Sequence, residues 1–176
     1  MPCDKCTLDK YITGAQANLP PTAHIGYLLR TSPDMDYVRW LRDHWDGPFI
    51  LKGVMRAEDV EPLEQIGIDA LWISNHAGRQ FDGTVATIEA LPAIRAATSL
   101  PLIFDSGVES GLDILRAIAL GADFVMVGRL PYYAMAGYGD RGVASLDLLD
   151  LQIRTVMKQM GLRQLSELSS LSASFQ

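Results

Sequence analysis

Cysteine is almost missing from this chain: Cys3 and Cys6, spaced as a lone Cys-x-x-Cys, are the only two among 176 residues. A disulfide framework is thereby excluded. A zinc site would need two further ligands, for which His24 and His44 are the nearest candidates. A redox dithiol would be expected after a strand, at a helix start, and residues 3–6 do not read that way. The pair is expected to be free thiols, and no metal is expected. Positive charge is also scarce, with 15 Lys and Arg against 21 Asp and Glu and a net charge of −6. Non-specific nucleic-acid binding, which needs a basic surface, is excluded as a class, and an anionic lipid surface should repel the protein. No apolar run reaches the roughly 18–20 residues of a membrane span. The first residues, with Asp4, Lys5 and Asp9, lack the apolar core of a signal peptide, so a cytoplasmic location is expected.

What is present is a globular composition, 48% apolar and 20% charged, in a chain long enough for one domain with a sizeable core. From Phe49 onward one grammar repeats four times: an apolar strand, polar or glycine residues, a helical segment, the next strand. The expected strands are Phe49–Leu51, Ala70–Ile73, Leu102–Phe104 and Phe124–Val127, near-continuously apolar as parallel strands are. Helices are expected near 57–66, 89–97, 111–119 and 145–160. Pro92 limits the second to a turn followed by a short helix. Ile114, Leu115 and Ile118, with Asp113 and Arg116, make the third amphipathic. A further helix near 34–45 opens with Ser32 as N-cap and Pro33 at its first position, whereas residues 1–31, with Pro20-Pro21, Gly14 and Gly26, read as loop.

Four consecutive βα units imply parallel α/β architecture. An open doubly wound sheet concentrates chemistry at one switch point, whereas a (β/α)₈ barrel carries it at the C-terminal end of every strand. Here all four ends are chemical: Lys52-Gly53, Ser74-Asn75-His76, Asp105-Ser106-Gly107 and Gly128-Arg129. The expectation is a TIM-type parallel (β/α) barrel, incomplete, comprising about the last four of eight units, because a full barrel takes about 250 residues. The expected organisation is an irregular segment 1–33, a half-barrel 34–168 and a tail 169–176.

The stretch from Ser74 to Asp82 places an imidazole, His76, and a guanidinium, Arg79, directly after a buried strand. A base and an anion-gripping cation three residues apart suit proton abstraction from a substrate bearing a carboxylate. The plainer readings are a turn-capping histidine and a solvated arginine. Gly128-Arg129 suits a phosphate, since glycine admits close backbone approach and arginine offers a fork of donors. The plainer reading is a tight turn with a surface arginine. Lys52 points its ammonium toward the same mouth, unless it is a snorkelling surface lysine.

Taken together, Leu41–Pro48, Leu51-Lys52-Gly53-Val54, Ser74–Gly83, Thr87–Pro92, Asp105-Ser106-Gly107, Ala119–Asp123 and Val127-Gly128-Arg129 resemble the FMN-dependent α-hydroxy acid dehydrogenase/oxidase family, over about residues 34–167. That family includes glycolate oxidase, flavin-type lactate dehydrogenase and mandelate dehydrogenase. The resemblance implies FMN as cofactor and a lactate-like L-2-hydroxy acid as substrate. It implies His76 as the base and Arg79 as the carboxylate grip. Lys52 and Ser74 would then lie beside the flavin ring, with Asp105, Ser106, Gly107, Gly128 and Arg129 on the ribityl and phosphate. Three departures stand out. Ala77 replaces a glycine that most members have after the histidine, a change that costs little if the backbone angle suits a Cβ. Glu109 replaces an arginine on the phosphate, which weakens FMN by about tenfold to several hundredfold unless Glu109 turns outward and leaves Arg129 to hold the phosphate. The family's N-terminal half, with the aspartate that orients the histidine, has no counterpart. Segment 1–31 corresponds to a variable region that attaches some members peripherally to membranes, for which Ile25, Leu28 and Leu29 are too few to establish the same here. Two expectations stand side by side. One is a flavin-dependent 2-hydroxy acid dehydrogenase that acts as a homo-oligomer or with a complementary half-barrel. The other is a non-catalytic half-barrel, a pseudoenzyme that binds FMN or phosphate.

Overall fold

Four short apolar runs pair in parallel as one sheet: β1 (Ile50–Val54), β2 (Ala70–Ile73), β3 (Leu102–Phe104) and β4 (Phe124–Val125). The computed structural model describes residues 34–174. The readings made for residues 1–33, including the thiols, His24 and the cap at Ser32 and Pro33, lie outside the described residues. The chain divides into two compact units, Met1–His44 and Trp45–Gln176. In the first, helix α1 (Met35–Asp43) is capped by Asp34, whose carboxylate accepts the Tyr37 N–H at 2.9 Å. It ends where His44 Nδ1 meets the Trp40 carbonyl at 2.7 Å.

In the second unit the strands lie in the order β1-β2-β3-β4. Each strand neighbours the one before it, with no reversal of direction across the sheet, which is the progression of a barrel wall and not of a doubly wound sheet. Right-handed crossovers then place the connecting helices on one face: α2 (Val60–Ile66), α3 (Thr87–Ala97) and α4 (Gly111–Ala119). Val60, Leu63, Leu71, Ile73, Leu91, Ile94, Leu102, Phe104 and Leu115 form the core between sheet and helices, each 4% exposed or less. Two αβ corners repeat one device. Gly67 (φ 90°) and Gly121 (φ 109°) turn the chain in left-handed geometry, Ile68 and Ala122 bury, and an aspartate follows. Asp69 Oδ2 accepts the Phe49 N–H at 2.7 Å and Asp123 Oδ2 the Leu102 N–H at 2.8 Å, so each aspartate ties the preceding strand.

Several boundaries differ from expectation. β1 begins at Ile50 and runs to Val54, because its pairing with β2 extends past Lys52 through an irregularity to Val54↔Ile73. β4 stops at Val125, where only Phe104 remains opposite to pair with. Pro92 lies inside α3, which is continuous from Thr87. The missing N–H costs one helical hydrogen bond, but Thr87, Ala90, Leu91 and Ile94 bury on both sides of it and hold the helix. Residues Arg129–Tyr138 form a helix, α5, that the repeating grammar did not anticipate. It leads through a 3-10 turn (Gly139–Val143) into α6 (Ala144–Gln159). α6 packs on α4 through Ile153, Val156 and Met157, and Leu168 from the closing 3-10 segment (Leu165–Ser174) buries completely against Leu115 and Ala119.

Candidate active site

The C-terminal ends of all four strands open into one cavity of about 800 Å³, within the range of small-molecule and cofactor sites. Eight of the nine residues singled out in the sequence line it: Lys52, His76, Arg79, Asp105, Ser106, Gly107, Gly128 and Arg129. The ninth, Ser74, is 1% exposed and lies beneath, where its hydroxyl accepts Lys52 Nζ at 2.5 Å.

Asp105 is the electrostatic centre. Its Oδ2 receives Lys52 Nζ at 2.9 Å and Trp72 Nε1 at 3.0 Å, and its Oδ1 receives the Ser106 hydroxyl at 2.7 Å. Burial pushes the Asp105 carboxyl up, but hydrogen bonds from Ser106, Ser74 and Lys52, with the Lys52 charge, outweigh it and hold the group below its ordinary range. Lys52 also stands over the Trp72 ring, 4.9 Å from its centroid. The ammonium is thus fixed on three sides at the cavity wall.

His76 leaves β2 on a single 3-10 turn, His76–Gly78. Burial depresses its imidazole below the usual value, Lys52 and Arg79 push it further down, and Asp105 partly opposes them. A neutral ring at pH 7 follows, which is the state a general base needs. Arg79 spends its Nε on the His76 carbonyl at 3.4 Å, and its two terminal nitrogens are left for a carboxylate. The condition attached to Ala77 is not met: its φ of 55° and ψ of 37° are left-handed, where a Cβ is unfavourable.

The far end of the cavity is shaped for an anion. A Cβ added at Gly107 or Gly128 would meet nothing within 4 Å, so both backbones border open space that a bound group can approach closely. Arg129 opens α5, whose positive dipole end adds to the guanidinium charge. Glu109 is exposed and lines the same cavity. The pattern of glycine edges, two arginines and a fixed lysine fits a phosphorylated, ring-bearing cofactor such as FMN.

Sequence reasoning missed Trp72, Tyr132 and Tyr133, which also line the cavity. Trp72 was legible by alternation, since it pairs with Lys52 and shares its face. The tyrosines come from α5, and Pro131 in its first turn was the available signal. Among the described residues, no helix is long and apolar enough to cross a membrane, and no cluster of metal-binding side chains is present.

Comparison with known proteins places these features in a family. The sequence model of the FMN-dependent dehydrogenases matches residues 5–174. L-lactate dehydrogenase of Vibrio cholerae is 42% identical over 152 residues, covering 83% of this chain and 40% of that protein. The Bartonella tribocorum L-lactate dehydrogenase is 43% identical over 168 residues, covering 94% of this chain and 41% of its own length. A solved structure of mandelate oxidase with (S)-4-hydroxymandelic acid superposes with a TM-score of 0.70 at 38% identity, covering 77% of this chain and 39% of that one. An oxidised active mutant of (S)-mandelate dehydrogenase gives 0.72 at 34% identity, covering 86% and 44%. The chain therefore spans about two-fifths of the length of the relatives it matches, and its four-stranded sheet is part of a (β/α) barrel.

Proposed function

This chain belongs to the FMN-dependent dehydrogenase family, and we propose that it carries the base and the phosphate end of an enzyme oxidising a lactate-like L-2-hydroxy acid to the 2-oxo acid. The observation that carries this reading is the meeting of His76, Arg79, Lys52 and Arg129, from a strand or the segment that follows one, around one cavity. When bound, FMN supplies the two-electron acceptor for the hydrogen on the substrate's α-carbon. Lys52, Ser74, Asp105, Ser106, Gly107, Gly128 and Arg129 would hold it.

The protein's own residues do the rest. Arg79 pairs its terminal nitrogens with the substrate carboxylate and fixes the α-carbon near the imidazole. His76, neutral through burial and its cationic neighbours, takes the proton of the substrate hydroxyl at a ring nitrogen. The Lys52 ammonium offsets negative charge developing on the acceptor side of the cavity. Association with a second copy or a complementary half is part of the same reading, since eight strands close a barrel of this type and four lie among the described residues.

The test is optical. The purified chain mixed with FMN should take up the yellow cofactor, and its absorbance should bleach on anaerobic addition of L-lactate, with mandelate and glycolate as further candidates. His76→Gln should abolish bleaching and retain FMN. A chain that binds FMN and never bleaches with any 2-hydroxy acid is a binding remnant, and a His76→Gln variant as fast as the parent removes His76 as base.

A further inference from the structure

The peptides on either side of His76 are both tied to serine hydroxyls. The His76 N–H donates to Ser74 Oγ at 3.2 Å, and the Ala77 N–H donates to Ser106 Oγ at 3.1 Å. The Ser106 hydroxyl directs its own proton to a carboxylate, Asp105 Oδ1 at 2.7 Å, while Ser74 Oγ also accepts Lys52 Nζ. A hydroxyl has one proton and two lone pairs. With its proton committed to Asp105, Ser106 presents only lone pairs to the Ala77 amide it faces. Ser106 is also gripped from behind, its carbonyl accepting the hydroxyl of the buried Thr87 at 3.0 Å.

Ser106 achieves this at φ 77°, a left-handed conformation that glycine adopts without penalty and serine does not. An outlier held by surrounding bonds, at a cavity wall, points to use of its side chain. We propose that Ser106 is a positioning residue for His76: its hydroxyl, oriented by Asp105, holds the peptide that follows the histidine and thereby fixes where the imidazole stands in the cavity. This rests on His76 being the base.

Two variants of the cofactor-free chain separate this role from a merely structural one. Ser106→Gly removes the hydroxyl and relieves the backbone, whereas Ser106→Ala removes the hydroxyl and keeps the penalty. Ser106→Gly should unfold in urea no earlier than the parent. In both variants the Ala77 amide should exchange with solvent roughly tenfold faster, the loss of one hydrogen bond. The His76 ring, identified in NMR spectra by its absence from His76→Gln, should titrate closer to 6.5 as water reaches it. Unchanged Ala77 exchange with unchanged His76 titration, in whichever variant folds, overturns the proposal. Neither readout involves flavin or substrate. A parent chain that never bleaches FMN therefore sinks the dehydrogenase reading alone, and unchanged readouts in a chain that does bleach sink only the role of Ser106.

Discussion

Left-handed backbone outside glycine gathers at the cavity. Among the described residues, His76, Ala77 and Ser106 are the non-glycine positions with positive φ, and all three line the cavity. At Ala77 the side chain does nothing visible to repay that conformation, so Ala77→Gly should stabilise the fold by about 1 kcal/mol, read as a later urea midpoint. The same cluster sets a pH dependence. If His76 is the base proposed above, its depressed value predicts that proton abstraction persists below pH 6.5 and is lost as pH falls through the folded-state value. Stability follows the same sign, because the unfolded chain takes up a proton on His76 before the folded one does. That contribution is present above about 6.5 and disappears on acidification, and the Asp105 contribution disappears below about 3.8. Lys52→Met removes a cation beside the imidazole and leaves Asp105 to attract its proton, so the His76 midpoint should rise in an NMR titration. A midpoint that stays or falls contradicts the electrostatics described above. At this scale the sequence named groups that the fold brings to one cavity, but the hydroxyl bonds that hold them depend on loops 29 residues apart and left no local trace.

The helices are held to the sheet by close approaches as much as by apolar stripes. Gly111 begins α4 against α6, where its N–H donates to Gln152 Oε1 at 2.8 Å. A Cβ there would stand 2.7 Å from the Ile153 nitrogen and 2.9 Å from the Leu149 carbonyl oxygen, backbone atoms that cannot swing aside. Gly111→Ala should therefore cost about 1–3 kcal/mol despite alanine's better helix propensity, measured as an earlier urea midpoint with the far-ultraviolet helix signal intact before unfolding. β2, β3, the extent of α4 and the end of α2 were readable from apolar runs between glycine corners, whereas residues 57–59, expected as the start of α2, form a 3-10 turn before it. α5 was not, because Gly128 and Pro131 punctuate its start like a loop, and only their placement just before and within the first turn makes them compatible with a helix. Pro92 misled in the opposite way, its local cost being outweighed by burial of the turns around it.

Across the whole sheet, the face away from the helices is unusually bare. Strand register aligns Lys52, Trp72, Ile103 and Phe124 across it. Ile50, Phe124 and Met126 are 46%, 64% and 46% exposed. In a closed barrel these positions face inward and are packed in layers. β1 and β4 are the sheet's edges among the described residues, and parallel edges with apolar side chains seek further strands. The proposed association predicts that this 176-residue chain sediments as a dimer or larger species at micromolar concentration, and Phe124→Lys should shift it toward monomer. A parent that sediments as a stable monomer would refute the association.

The sequence by itself determined the βα grammar, the parallel sheet and the list of groups that meet at the strand exits, because each is written in local periodicity and in short motifs. It also determined the family, through the order and spacing of those motifs. Only the tertiary structure decided that Asp105 gathers Lys52, Trp72 and Ser106, that Ala77 stands in left-handed backbone, and that one face of the sheet lies open. Those outcomes depend on distances between segments far apart in the chain, and a side chain's partner is chosen by which loop the fold brings within about 3 Å, not by its neighbours in sequence.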